Sequence, residues 1–315
     1  MNLKKYFFKF IKMSTVINAL NFDDIKVSTK TIIGISNLEI NLEDIYKKLP
    51  ITPYEIIKKR RGRKRKNEVT THRNKIDNGS IITLKYQGEM RGVDTKNRKK
   101  TRSSNKYFRN AVTVVMKIGE KDDNEKFINF KISHNGKFQM TGCKSSDQAQ
   151  ECIKYIWKYI NESDICTQKS NFKVIFRTVM TNIDFNLGFT VNRENLDKYL
   201  NTNTMYNSLL ETSFGYTGVN IKMPFNDEIN SELSTIEWDK NKWKKYNTSF
   251  RQYLDIIPSK DRDKELSKQR YVTFLVFQSG NVIMSGLNKQ YMSSYYKDFF
   301  KIINNCIDDI VEKLD

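Results

Sequence analysis

The chain has 315 residues, 38% of them hydrophobic and many of those Phe or Tyr, enough for one large domain or two smaller ones with their own cores. Its formal charge of +19 at pH 7 suits a polyanionic partner, because Lys and Arg displace counterions from phosphates. No stretch approaches the ~18 consecutive apolar residues of a membrane-spanning helix, so no membrane partner is expected.

The opening MNLKKYFFKFIK (1–12) is basic, and its apolar run is too short for a secretory signal. A short amphipathic helix or a frayed arm is expected there. TIIGISNLEINLEDIYKKL (31–49) reads as a strand followed by a short helix. A polar insertion follows at about 52–107, with parts expected to be disordered. From Lys58 to Arg109, 19 Lys or Arg face four acids, so this stretch holds +15 of the total charge. The folded remainder is nearly balanced, and net charge alone does not argue that it binds DNA. The densest run comprises Lys58, Lys59, Arg60, Arg61, Arg63, Lys64, Arg65 and Lys66. Its Arg61-Gly62-Arg63 core is similar to minor-groove A·T-hook peptides, though Lys64 stands where they carry Pro. A nuclear-import address and a solvated charge run are the other readings of the same residues.

AVTVVMKI (111–118) reads as a strand. FINFKISHNGKFQMTGC (127–143) reads as a hairpin whose turn glycine, Gly136, takes the positive φ that such turns need. A helix follows, capped by Ser145 with Gln148 and burying Ala149, Cys152 or Ile153, Ile156, Trp157 and Ile160. The pattern then recurs. TVMTNIDFNLGFTVNRENLDKYL (178–200) is again strand and helix, and YTGVNIKM (216–223) is again a strand. After a second insertion at about 224–268, with short helices expected, YVTFLVFQSGNVIMSG (271–286) forms a second hairpin. A last helix buries Met292, Tyr296, Phe299, Phe300, Ile303, Ile307, Ile310 and Leu314. Gly136 and Gly142 match Gly280 and Gly286 at a constant offset of 144, so the chain is read as two tandem repeats, 14–162 and 171–315.

Alternation in the second hairpin puts Val272, Phe274, Val276, Val282 and Met284 on one face, against the helices. Tyr271, Thr273, Leu275, Phe277, Asn281, Ile283 and Ser285 take the other. That face is also largely apolar, so it must either be buried within the fold or meet a partner. Periodicity alone leaves both readings open.

SHNGKFQMTGCKSSDQAQECIKYI, VTFLVFQSGNVIMSG and FGYTGVNIKM, recurring in this order, resemble the TATA-box-binding protein family and its viral relatives. The resemblance spans both halves once the insertions are set aside. It implies an α+β fold: a saddle of two pseudo-symmetric repeats, with a curved antiparallel sheet and helices on its convex face. It further implies a concave face that enters the minor groove of A·T-rich DNA and bends it with Phe wedges. By residue, Phe277 falls on a wedge and Tyr216 on its partner. Ala111 and Ser133 stand where the first-half pair belongs, with Phe108 the candidate replacement. Leu275, Ile283 and Ser285 fall on the groove face, as does Thr141, whereas Lys131 and Gln139 replace aliphatic residues there. Lys117, Lys131, Lys137, Lys144 and Lys222 are the expected phosphate contacts.

Catalysis is not expected, because no nucleotide-loop, dinucleotide or metalloprotease motif is present. Asp184, Glu194 and Asp197 read as strand-end and helix-surface acids. Cys143, Cys152, Cys166 and Cys306, with His72 and His134, lack zinc-ligand spacing, so no metal or other cofactor is expected and the thiols read as free. The expected function is DNA binding in transcription initiation by a monomer, with initiation factors or RNA polymerase as protein partners. A protein-interaction scaffold that has lost specific DNA contact is the alternative. The Asn, Lys and Ile bias fits the genome of a large DNA virus of eukaryotes, hence a nucleus, cytoplasmic viral factory or virion as the location.

Overall fold

The computed structural model describes residues 20–55, 76–94, 109–119, 126–163, 171–211, 217–225 and 232–312. The expected N-terminal arm and the basic run 58–66 lie outside these residues, as do His72, Phe108, Cys166, Tyr216 and Leu314. After a 3₁₀ turn at Phe22–Asp24, the elements are β1 (Val27–Ser36), α1 (Leu42–Lys48), β2 (Ile81–Tyr86), β3 (Glu89–Gly92), β4 (Ala111–Lys117), β5 (Phe127–Ser133), β6 (Lys137–Cys143) and α2 (Ser146–Glu162). The order continues with β7 (Phe172–Asn186), α3 (Arg193–Asn203), β8 (Asn207–Glu211), β9 (Gly218–Phe225), β10 (Glu232–Asp239), β11 (Lys242–Ser249), α4 (Phe250–Ile256), α5 (Ser259–Ser267), β12 (Arg270–Phe277), β13 (Asn281–Gly286) and α6 (Lys289–Ile310). No helix among the described residues is long and apolar enough to cross a membrane.

The chain divides into two compact units that exchange segments. The first-half unit takes 31–177 together with 232–249, and the second-half unit takes the described residues of 1–30, 178–231 and 250–315. The linear halves 14–162 and 171–315 are thus crossed by residues 20–30 in one direction and by β10–β11 in the other. In the first-half unit the strand order is β3-β2-β4-β5-β6-β1-β7-β10-β11. In the second-half unit it is β7-β13-β12-β9-β8. The pairs β2–β3, β2–β4, β4–β5, β5–β6, β10–β11, β12–β13, β12–β9, β13–β7 and β8–β9 are all antiparallel, so the architecture is α+β with mainly antiparallel, open sheet.

Each sheet carries helices on one face. In the first-half unit, α2 buries the residues its 3.6-residue spacing predicts, and Trp157 stacks on Phe172 at 4.4 Å. Ser145 Oγ accepts from the Gln148 backbone N–H at 3.4 Å, while Gln148 Oε1 accepts from the Lys144 N–H at 2.8 Å. The capping box therefore reaches one residue further back than its usual form. In the second-half unit, Phe299 of α6 stacks on Phe274 at 4.3 Å, and Leu196 and Leu200 of α3 complete the core. Along β7 the buried residues that share the helix-covered face are Phe172, Val174 and Phe176, then Thr181, Ile183 and Phe185, with Ile175 and Arg177 buried on the opposite face. Alternation thus changes phase between 176 and 181, where the chain passes from one unit to the next.

Both insertions hold more regular structure than their composition predicts. β2 and β3 lie inside the polar 52–107 stretch, joined by Gln87 (φ 48°) and Gly88 (φ 90°), the left-handed pair of a tight hairpin turn. The buried run Ile81, Ile82, Thr83 and Leu84 holds β2 in the sheet despite the charged flanks. The second insertion contains the short helices α4 and α5, but also the hairpin β10–β11, turned through Lys240 (φ 46°) and Asn241 (φ 61°).

The turn glycines of the two hairpins, Gly136 and Gly280, both take positive φ, whereas of the second repeated pair only Gly142 does and Gly286 does not. Gly280 has φ +78°, and a Cβ there would stand 2.2 Å from the Phe189 carbonyl oxygen. Gly142 has φ +87°, and a Cβ there would meet nothing within 4 Å. Gly280→Ala is accordingly expected to cost about 2 kcal/mol or more, and Gly142→Ala only the left-handed strain of about 1 kcal/mol. Urea unfolding midpoints of the two variants check the difference; equal losses would remove the steric argument.

Candidate nucleic-acid interface

The second-half sheet turns one face to α3 and α6 and the other away from them. On this far face the ladder between β12 and β13 sets Leu275 opposite Ile283 and Thr273 opposite Ser285. The next rungs outward add Asn220 beside Leu275, Lys222 beside Thr273, and Gly218 beside Phe277. Leu275, Phe277, Ile283, Thr273 and Ser285 are half-buried, while Val272, Phe274, Val276, Val282 and Met284 are fully inside. The parity read from the sequence is therefore the parity of the structure. Gly218 also makes room for this face: a Cβ there would meet Leu275 Cδ1 at 2.8 Å.

At the Phe277 end, a depression of about 840 Å³ opens among Phe277, Ile283, Asp184, Asn186, Asn281 and Ser279. Asn186 Nδ2 donates to Asn281 Oδ1 at 2.7 Å, and Asn281 Nδ2 donates to Ser279 Oγ at 3.0 Å, so the rim is a fixed amide chain. β7 contributes Asn182 opposite Ser285 and Asp184 opposite Ile283. The Asn182 Oδ1 is buried without a hydrogen-bond partner. Neither residue was singled out for this face by sequence reasoning, because both fall there only through the β7–β13 register. The Lys222 ammonium lies 5.9 Å from the Tyr271 ring centroid, a weak cation–π contact at the far edge.

The first-half unit differs. Its far face on β5 and β6 carries Asn129, Lys131, Ser133, Lys137, Gln139 and Thr141, an amide, hydroxyl and ammonium surface. Thr141 Oγ1 donates to the Asn129 carbonyl at 3.1 Å, and Ala111 pairs with Ser133, so no aromatic stands at that rung. Lys137 and Lys144 are exposed and Lys131 half-buried. Lys117 corrects the sequence reading. It is 7% exposed, and its ammonium donates to the Ile76 carbonyl, so it holds the insertion to the sheet and does not face solvent where a phosphate would stand. Around it, Tyr54 meets Phe127 edge-on at 5.2 Å, and Ile76, Ile82 and Val115 form a small core on the far side. At the other end of this sheet Ile175, Arg177, Thr235 and Thr248 are buried as well. The first-half far face stays accessible along β5 and β6, and Thr113 of β4 and Ile33 and Ile35 of β1 are half-buried on it.

No group of three or more His, Cys, Asp or Glu among the described residues could hold a metal ion. Asp197 accepts from Ser208 Oγ at 2.6 Å, and Glu194 lies in the first turn of α3. Burial pushes the Cys143 thiol to about 11 and the Cys306 thiol to about 12, so both stay protonated and unreactive.

No family model matches the chain. It is 25% identical over 300 residues to the TATA-box-binding protein-like protein of Acanthamoeba polyphaga mimivirus, covering 90% of this chain and 66% of that protein. It is 23% identical over 227 residues to the uncharacterized protein 335L of Invertebrate iridescent virus 6, covering 67% of this chain and 64% of that one. The chain thus spans just under two thirds of the length of the two viral proteins. Among solved structures, Methanococcus jannaschii TBP aligns over 89% of this chain and 98% of its own, with 13% identity and a TM-score of 0.41. The similarity over nine tenths of the sequence, together with the motifs recurring in order in both halves, makes this chain a divergent relative of a virus-encoded TATA-box-binding-protein-like protein.

Proposed function

We propose that the chain binds duplex DNA without chemistry, seating the far face of its second-half sheet in the minor groove and bending the duplex, as a transcription initiation factor. The observation that carries this reading is the half-exposed apolar row Leu275, Ile283 and Phe277, flanked by the Thr273 and Ser285 hydroxyls on one sheet surface. Small hydroxyls and flat apolar side chains suit the shallow floor of a widened minor groove, and an aromatic at the strand end suits a wedge. In this reading Lys131, Lys137, Lys144 and Lys222 meet phosphates, the run Lys58–Lys66 adds sequence-independent attraction, and Tyr216 and Phe108 are further wedge candidates. A·T-rich DNA is the preferred duplex, one chain fills one site, and initiation factors or RNA polymerase are the protein partners, in the nucleus or a cytoplasmic viral factory.

The test is anisotropy on short A·T-rich and G·C-rich duplexes from about 50 to about 300 mM salt, with a doubly labelled duplex reporting the bend. A variant with the basic residues of 58–66 changed to Gln separates the run from the folded surface without touching β2 or β3. Its binding is expected to survive with a shallower salt dependence, since each lost phosphate contact removes about 0.9 unit of slope. Loss of all binding with the run, or a bound duplex that stays straight, sinks the groove reading. A protein-interaction scaffold is the second reading, favoured by the covering of the β2–β4 side of the first-half far face by Tyr54 and Ile76. Selective capture of an initiation factor by a protein that fails to bind duplex would establish it.

A further inference from the structure

Asp184 sits where the proposed groove contact is least hospitable to a carboxylate. It lies on the far face of β7, opposite Ile283, which in turn pairs with Leu275. It is exposed and lines the depression beside Phe277. Among the described residues no hydrogen-bond donor or cation engages it. The other carboxylate on this face, Glu211, already accepts from Asn220 Nδ2 at 3.2 Å. A carboxylate only accepts hydrogen bonds. In the minor groove, A·T and T·A pairs present only acceptors, adenine N3 and thymine O2, and the single donor is the 2-amino group of guanine. Acceptor against acceptor is repulsive, and burying an unpaired carboxylate adds a desolvation cost.

Resting on the minor-groove reading, we propose that Asp184 is a specificity-determining residue that selects a G·C pair, through the guanine 2-amino group, at the step beside the Phe277 wedge. The face as a whole then reads a mixed site, apolar and tolerant along Leu275 and Ile283 but demanding a donor at Asp184. The neighbouring amides of Asn182, Asn186 and Asn281 carry both donors and acceptors and impose no such demand.

The test scans an A·T-rich duplex, replacing one pair at a time by G·C or by inosine·C, which keeps the pairing but lacks the 2-amino group. With the full chain, one localised position is expected to bind roughly tenfold tighter as G·C than as A·T, with inosine·C behaving like A·T. Asp184→Asn, whose amide can donate to A·T edges and accept from guanine, flattens that position. Asp184→Ala, which has no acceptor to offer, also loses the guanine preference. Equal binding of G·C and inosine·C, or a guanine preference that survives in Asp184→Asn, overturns the inference while leaving groove binding intact. Failure of the full chain to bind or bend any of these duplexes overturns the groove reading itself, and this inference with it.

Discussion

Replacing Phe277 by alanine is expected to weaken duplex binding by about 1–3 kcal/mol and to relax the bend, with little loss of fold stability. Phe277 ends β12 on the far face, its strand partner is a glycine, and its ring borders an open depression. Half-buried and outside both large cores, it gives up little packing on truncation. What it loses is the surface on which an unstacked base step would rest. Anisotropy and end-to-end energy transfer on the same labelled duplex measure affinity and bend together. A variant that binds less tightly but bends the duplex fully would show that Phe277 adds contact area without acting as a wedge.

Three residues earlier on the same strand, the opposite pattern is expected. Phe274→Ala should destabilise the second-half unit by about 3–5 kcal/mol, a large part of the ~5–15 kcal/mol typical of a domain. Phe274 has no exposed surface, stacks on Phe299 with an interplanar angle of 6°, and Phe299 is itself edge-on to Phe300. Removing the ring leaves a cavity that the rigid strand and α6 cannot close. Urea unfolding followed by far-ultraviolet circular dichroism gives the loss. A cost below about 1 kcal/mol would mean the stack is dispensable and the core assignment wrong. The contrast between the two positions is the sharper result, because residues of opposite parity on one strand then affect binding and stability separately.

Much of this was legible from local signals. The turn glycines at 136 and 280 announce hairpins because few other residues take positive φ, and the helix stripes announce α2 and α6 through their spacing. The alternation of 271–286 gave both faces correctly. What stayed hidden depends on partners far along the chain. Lys117 reads as a surface lysine at a strand end, and only the Ile76 carbonyl, 41 residues earlier, explains its burial. β2 was masked by the charge around it, since its few β-branched residues gain their place by pairing with β4. Asp184 read as an ordinary strand-end acid, and its position opposite Ile283 exists only in the register of β7 with β13.

The hairpin β10–β11 has a consequence for how the molecule is made. Ile236 pairs with Val174, and Trp243 packs edge-on to Phe172, although roughly 60 to 70 residues of chain separate these partners. As the polypeptide leaves the ribosome, β7 emerges with an unpaired edge and Phe172 lacks one of its aromatic neighbours. It waits in that condition while much of the second repeat is synthesised. The first repeat is therefore not an autonomous folding unit in time, even though its helices and hairpin are complete. High contact order at this one junction slows closure, and an exposed strand edge during the delay invites pairing with other chains. A fragment ending at 177 carries the same open edge permanently, and the compact first-half unit is complete only with residues 232–249.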